Sequence, residues 1–159
     1  MSDTILITGA NGFVGSRLVK ELSTTNNVVA TYRTESAADI PVPGVQYIKC
    51  DLIDLNATYK LFENYSIDAV VHTAAVVKSD EDNDCLEYTF KNNVEAQVNI
   101  LSAALSSKCK KFIFCSTISV YDGYPIHKNG FRESDCVSPN SVYGWSKYSS
   151  EELLRIQAI

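Results

Sequence analysis

Apolar and polar positions along this chain follow two alternating periods. Five short runs are rich in β-branched residues and nearly continuous in apolar character, at residues 4–8, 27–32, 45–50, 67–73 and 111–116. Runs of this length suit parallel strands covered on both faces. Between them the apolar residues step by three and four. Val14, Leu18 and Leu22 mark one face of a first helix, and Phe90, Val94, Val98, Leu101 and Leu105 mark a long amphipathic one. A last helix is predicted from about Val142 to the C-terminus. Strand–helix alternation of this kind predicts an α/β fold on a doubly wound parallel sheet. One long irregular stretch remains at 122–140, and loops of that length are as a rule functional or mobile.

Composition narrows the class. A chain of 159 residues, 45% apolar and 21% charged, has room for one domain with a real core and not for two ordinary ones. Residues 1–159 therefore read as a single domain. The 14 basic and 19 acidic residues leave a net charge of −5 with no basic stripe, which argues against nucleic acid as a partner. No apolar run reaches the length of a membrane span and no secretory signal opens the chain, so a cytoplasmic protein without a membrane partner is expected. Its five cysteines are scattered without C-x-x-C spacing, which predicts buried, reduced thiols rather than disulfides or a metal site. The acidic run Asp80-Glu81-Asp82 reads as solvated residues leading into a helix.

Candidate chemistry starts directly after the first strand. Gly9, Gly12 and Gly15 recur every third residue just before a helical pattern. A helix N-terminus offers unpaired N–H groups and positive dipole charge, and glycine lets the backbone approach a pyrophosphate closely. The spacing departs from the common G-x-G-x-x-G form.

G-x-x-G-x-x-G resembles the short-chain dehydrogenase/reductase superfamily, and Thr-Gly-Ala-Asn-Gly-Phe-Val-Gly at 8–15 is similar to its extended branch, the NAD-dependent epimerase/dehydratase family. The likeness continues along the chain. Asp51-Leu52 resembles the pair that contacts adenine, and His72-Thr73-Ala74-Ala75 resembles the H-x-A-A turn lining the cofactor. Asn93-Val94 resembles an Asn-Val of the following helix, 116–121 resembles S-[ST]-x-x-V-Y, and 143–147 resembles Y-G-x-S-K. The resemblance implies a Rossmann fold in which Gly9, Asn11, Gly12, Phe13, Val14, Gly15, Asp51, Leu52, Ala74 and Ala75 hold a dinucleotide. Backbone and packing, rather than acid–base chemistry, explain His72 in that turn.

The second strand bears on which dinucleotide. An acidic residue at its end would bond a ribose 2′-hydroxyl and repel a 2′-phosphate. Tyr32 stands there and Arg33 follows, a planar fork suited to phosphate, with Arg17 in the first turn after Gly15 able to join it. NADP is thus favoured over NAD, although Glu35, three residues beyond Tyr32, could serve NAD.

Carbonyl reduction or alcohol oxidation needs a group that exchanges a proton with the substrate oxygen, and a tyrosine serves when a nearby cation favours its phenolate. Tyr143 and Lys147 stand four apart, on one face of a helix. The resemblance gives Thr117, Tyr143 and Lys147 the roles of a catalytic triad, places Tyr143 and Lys147 beside the cofactor as well, and lets Asn93 help hold the lysine. Ile118-Ser119 follow Thr117 where the family's dehydratases carry Asp-Glu, so epimerase or simple reductase chemistry is implied. The implied substrate is a nucleotide sugar or another small carbonyl compound, and the implied assembly a homodimer. Relative to the family the chain stops at the Tyr/Lys helix, so it is expected to be truncated, with the C-terminal substrate-binding part absent. A non-catalytic dinucleotide-binding module, a redox sensor or partner-binding subunit, stands as the alternative. His127, in the long loop, has no assigned partner.

Overall fold

Parallel pairing needs each strand buried on both faces, and the five apolar runs meet that demand. The computed structural model describes residues 2–34, 41–125 and 130–157. Strands β1 (Thr4–Thr8), β2 (Asn27–Tyr32), β3 (Gln46–Lys49), β4 (Ala69–His72) and β5 (Lys111–Phe114) form one sheet in the order β3-β2-β1-β4-β5. Every pairing is parallel, with Thr8 level with Thr31 on one side and with His72 on the other. Connections run outward from β1 to β3, then cross to β4, so the chain reverses between β1 and β4. A crevice opens at the C-terminal ends of strands at such a switch point.

Alternation along the strands sends Leu6 and Val70 to one face of the sheet and Ile7 and Val71 to the other. Helix α1 (Phe13–Leu22) covers the second face through Val19. Helices α2 (Leu55–Asn64) and α4 (Ala96–Ser106) cover the first through Leu61, Ala96, Ile100 and Ala104. The last helix, α5 (Val142–Gln157), follows the expected course, and the described part of 122–140 holds no helix or strand.

Three expectations need correction. Val14 is 47% exposed, and the inward line of α1 is Gly15 and Val19 flanked by Leu18 and Leu22. Glycine at position 15 lets the helix press on the Gly9 backbone and the Thr73 side chain. The long helix is not continuous. It begins as α3 (Cys85–Thr89), widens into a π-helical segment (Phe90–Glu95) and continues as α4. Val94 and Leu101 are buried while Phe90, Val98 and Leu105 face outward, because the inward face of α4 runs through Ala96, Gln97, Ile100 and Ala104. Small residues, Ala96, Ala103 and Ala104, take the inward positions. Finally, all five thiols are free but only Cys50 and Cys85 are buried. Among the described residues no helix is long and apolar enough to cross a membrane. Glu35 and His127 lie outside the described residues.

Candidate functional site

The β1–α1 loop is built around contacts that only glycine permits. Gly9 has φ +67°, and a Cβ there would stand 2.8 Å from the Cα and N of Ala74. A Cβ on Gly15 would fall 2.1 Å from the Gly9 carbonyl oxygen. The loop therefore lies directly on the turn after β4. Thr8 stitches the two together: its Oγ1 accepts from the N–H groups of Thr73 and Ala74, each at 3.2 Å. With both lone pairs engaged, the Thr8 hydroxyl donates to His72 Nδ1 at 2.7 Å. Burial, and then the nearby Lys147 charge, push the His72 pKa down to about 3. A neutral, fully packed imidazole is a structural part, as its place in the turn implied.

A cleft opens between these segments. Of the residues expected at a cofactor, Gly9, Asn11, Gly12, Arg33, Asp51, Leu52, Ala74 and Ala75 line it, joined by Thr31, Tyr32 and Asn92 among others. Phe13, Val14, Gly15 and Arg17 are not in its walls; Phe13 and Val14 form the exposed first turn of α1 and Gly15 is buried beneath the loop. Tyr143 and Lys147 also lie outside those walls. Gly12 precedes α1 with no side-chain cap, and no acidic residue occupies the first turn, so the positive end of the helix is uncompensated. Ala10 N–H donates to the Thr31 carbonyl at 2.9 Å and Asn11 Nδ2 to the Thr34 carbonyl at 2.6 Å, tying the loop to the end of β2. A cradle that any Cβ would fill, facing free N–H groups, fits a pyrophosphate.

The two arginines expected to share one phosphate have separate partners. Arg17 lies over the Phe13 ring, 4.3 Å from its centroid. Arg33 Nη1 donates to Asn92 Oδ1, and its Nη2 reaches the Tyr88 hydroxyl at 3.5 Å.

At the end of β5 a second group of residues assembles. Lys147 is 2% exposed, with Nζ 4.1 Å from the Phe114 ring centroid. Burial pushes its pKa down to about 8 against the opposing pull of Cys115 and Glu151. Thr117 Oγ1 accepts from Ser119 N–H at 3.2 Å and caps the short 3-10 turn Ile118–Tyr121. A Cβ on Gly144 would stand 2.6 Å from the Ser119 carbonyl, so α5 presses against that turn and brings the half-buried Tyr143 to its side. No hydrogen bond links Thr117, Tyr143 and Lys147 to one another.

Asn93 makes no direct hydrogen bond to Lys147. Its amide accepts from Val76 N–H at 2.8 Å and donates to Val76 C=O at 2.9 Å and Ser146 Oγ at 3.0 Å. The π turn carries its side chain to the β4 turn instead. Ser146 in turn donates to the Tyr143 carbonyl at 2.7 Å. Asp80 is more than a solvated acid, because its carboxylate accepts from Val142 N–H at 3.2 Å, at the start of α5. No cluster of metal-ligating side chains occurs among the described residues. Sequence reasoning missed Thr8, Asn92 and Ser146. Thr8 ends an otherwise apolar strand and Ser146 lies on a buried helix face, but Asn92, half-buried among Lys91 and Asn93, carried no such signal.

Comparison with known proteins agrees with this architecture. The NAD dependent epimerase/dehydratase family matches residues 5–158. UDP-glucose 4-epimerase 2 of Oryza sativa subsp. japonica is 32% identical over 165 aligned positions, covering 96% of this chain and 40% of its own length. A crystal structure of a UDP-glucose 4-epimerase superposes with a TM-score of 0.88 at 26% identity, over 98% of this chain and 47% of that one. UDP-glucose 4-epimerase from Brucella ovis in complex with NAD gives 0.86 at 25% identity, over 99% and 48%. The chain thus spans two fifths to one half of the length of these relatives. With sheet order, glycine loop and sequence match in accord over nearly every residue, the chain belongs to the NAD dependent epimerase/dehydratase family.

Proposed function

We propose that this chain is the dinucleotide-binding part of a nucleotide-sugar epimerase that uses NAD, rather than the NADP suggested by Arg17 and Arg33 in sequence. The observation that carries the reading is the cleft where Gly9 meets Ala74 beside the uncompensated N-terminus of α1. Backbone groups from Gly9 to Gly15 face the pyrophosphate, with Phe13 and Val14 offering the first free N–H groups of the helix. Asp51, Leu52, Ala74 and Ala75 line the same cleft; by the family resemblance Asp51 and Leu52 would contact the adenine, and Ala74 and Ala75 would line the rest of the cofactor.

NAD, when bound in this cleft, would supply the hydride acceptor for oxidation of a sugar hydroxyl. With the cofactor bound, Thr117 would position the substrate oxygen, and Tyr143 would accept the proton of that hydroxyl and later return it. Lys147, with a pKa of about 8, is mainly an ammonium at neutral pH and stabilises negative charge on the tyrosine oxygen. Asn93 acts through Ser146, which holds the Tyr143 carbonyl. Ile118-Ser119 after Thr117 offer no acid–base pair for elimination, which favours epimerisation over dehydration. Five free thiols suit a reducing, cytoplasmic setting. Exposed Phe90, Val98 and Leu105 along the long helix and Trp145 on α5 suit a homodimer.

Titration with NAD and a coupled assay on UDP-glucose test the reading. Tyr143→Phe should abolish turnover while leaving NAD affinity within about twofold. Equal loss of both would remove Tyr143 from the chemistry. NAD binding with no turnover, even when the family's C-terminal substrate-binding part is joined to the chain, would instead leave the non-catalytic dinucleotide module.

A further inference from the structure

We propose that Asn92, assisted by Tyr88, sets cofactor choice by withholding Arg33 from the ribose 2′ position; this rests on the cleft being the dinucleotide site. The end of β2 poses the problem. Tyr32 offers no carboxylate to repel a 2′-phosphate, and among the described residues Arg33 and Thr34 follow it. A free arginine at that edge would attract the extra phosphate of NADP through a charge-assisted, bidentate contact. Yet the family to which the chain belongs is NAD dependent.

Arg33 is not free. Its guanidinium reaches across the cleft wall, one nitrogen to Asn92 Oδ1 and another to the Tyr88 hydroxyl. Both acceptors are themselves held. Asn92 Nδ2 donates to the Tyr88 carbonyl at 2.8 Å, which aims Oδ1 outward, and Lys78 Nζ sits 4.9 Å from the Tyr88 ring centroid. Asn92 and Arg33 line the same cleft, and Asn92 stands in the π-helical segment, whose wide turn brings it within reach of β2. The fork that would grip a 2′-phosphate is thereby engaged by an amide and a phenol. Binding NADP requires breaking those bonds first, whereas a ribose 2′-hydroxyl makes no such demand. Discrimination here comes from a positioning residue 59 positions away rather than from a carboxylate on β2.

The test measures dissociation constants of NADH and NADPH at low salt for wild type, Asn92→Ala, Tyr88→Phe/Asn92→Ser and Arg33→Ala/Asn92→Ala. Asn92→Ala should tighten NADPH by roughly fivefold to tenfold, the effect of freeing one charge-assisted hydrogen-bond donor, with NADH changed less than about twofold. Tyr88→Phe/Asn92→Ser, which keeps a small polar residue on the helix, should give the same gain. Adding Arg33→Ala should remove it. An unchanged NADPH/NADH ratio in Asn92→Ala and in Tyr88→Phe/Asn92→Ser overturns the proposal, and so does a gain that survives without Arg33. Failure of every variant and of wild type to bind either dinucleotide overturns the reading of the cleft itself, and this inference with it.

Discussion

Replacing Lys147 by methionine should stabilise the fold near neutral pH. Lys147 is 2% exposed and makes no hydrogen bond through Nζ, so its charge is held by the Phe114 ring and by distant carboxylate and thiol groups. Moving a lysine from 10.5 to about 8 on folding costs the folded state about 3 kcal/mol at pH 7, at ~1.4 kcal/mol for each pH unit. A desolvated cation over an aromatic face returns about 1 kcal/mol of that. Methionine keeps the length and apolar stem without the charge, so Lys147→Met should gain about 2 kcal/mol, or ~4–8 °C in Tm for a chain of this size. The pH dependence separates this cause from better packing. Because the folded pKa lies below the unfolded one, the folded protein binds fewer protons between pH 8 and 10.5. The wild-type contribution is therefore flat below that window and becomes more favourable as pH rises through it. Thermal unfolding of both proteins at pH 7, 8.5 and 10 should show a Tm gap that narrows with pH. A variant less stable than wild type at pH 7, or a gap independent of pH, would refute the argument.

Gly15→Ala would drive a Cβ to 2.1 Å from the Gly9 carbonyl oxygen, and backbone on both sides must shift. A loss of about 2–4 kcal/mol in urea unfolding is expected, together with weakened NAD binding; wild-type stability and affinity would show that the loop yields freely. Ser146→Ala leaves Asn93 Nδ2 with one acceptor fewer in a buried site and releases the Tyr143 carbonyl. It should cost about 1–3 kcal/mol of stability and lower kcat more than KM rises. An equal stability loss with unaltered kcat would confine Ser146 to packing.

What the sequence determined by itself was whatever depends on near neighbours. Five apolar runs marked five parallel strands, because burial on both faces imposes a continuous pattern over a few residues. Gly9, Gly12 and Gly15 marked the crowded loop, since the demand for a missing Cβ is met residue by residue. Tyr143 and Lys147 came to one end of α5 because helical periodicity places residues four apart together. Tertiary structure decided the rest. The helix widens into a π turn at Phe90–Glu95, Phe90 and Val98 face outward, and Asn93 bonds Val76 and Ser146, and no local signal carries that arrangement. Asp80 reaches the first N–H of α5 across 62 positions, and Arg33 reaches Asn92 across 59. A charged side chain takes whichever partner the fold sets beside it. Whether Arg33 faces a phosphate or an amide therefore depended on how the sheet and helices pack, and not on the residues around it in the chain.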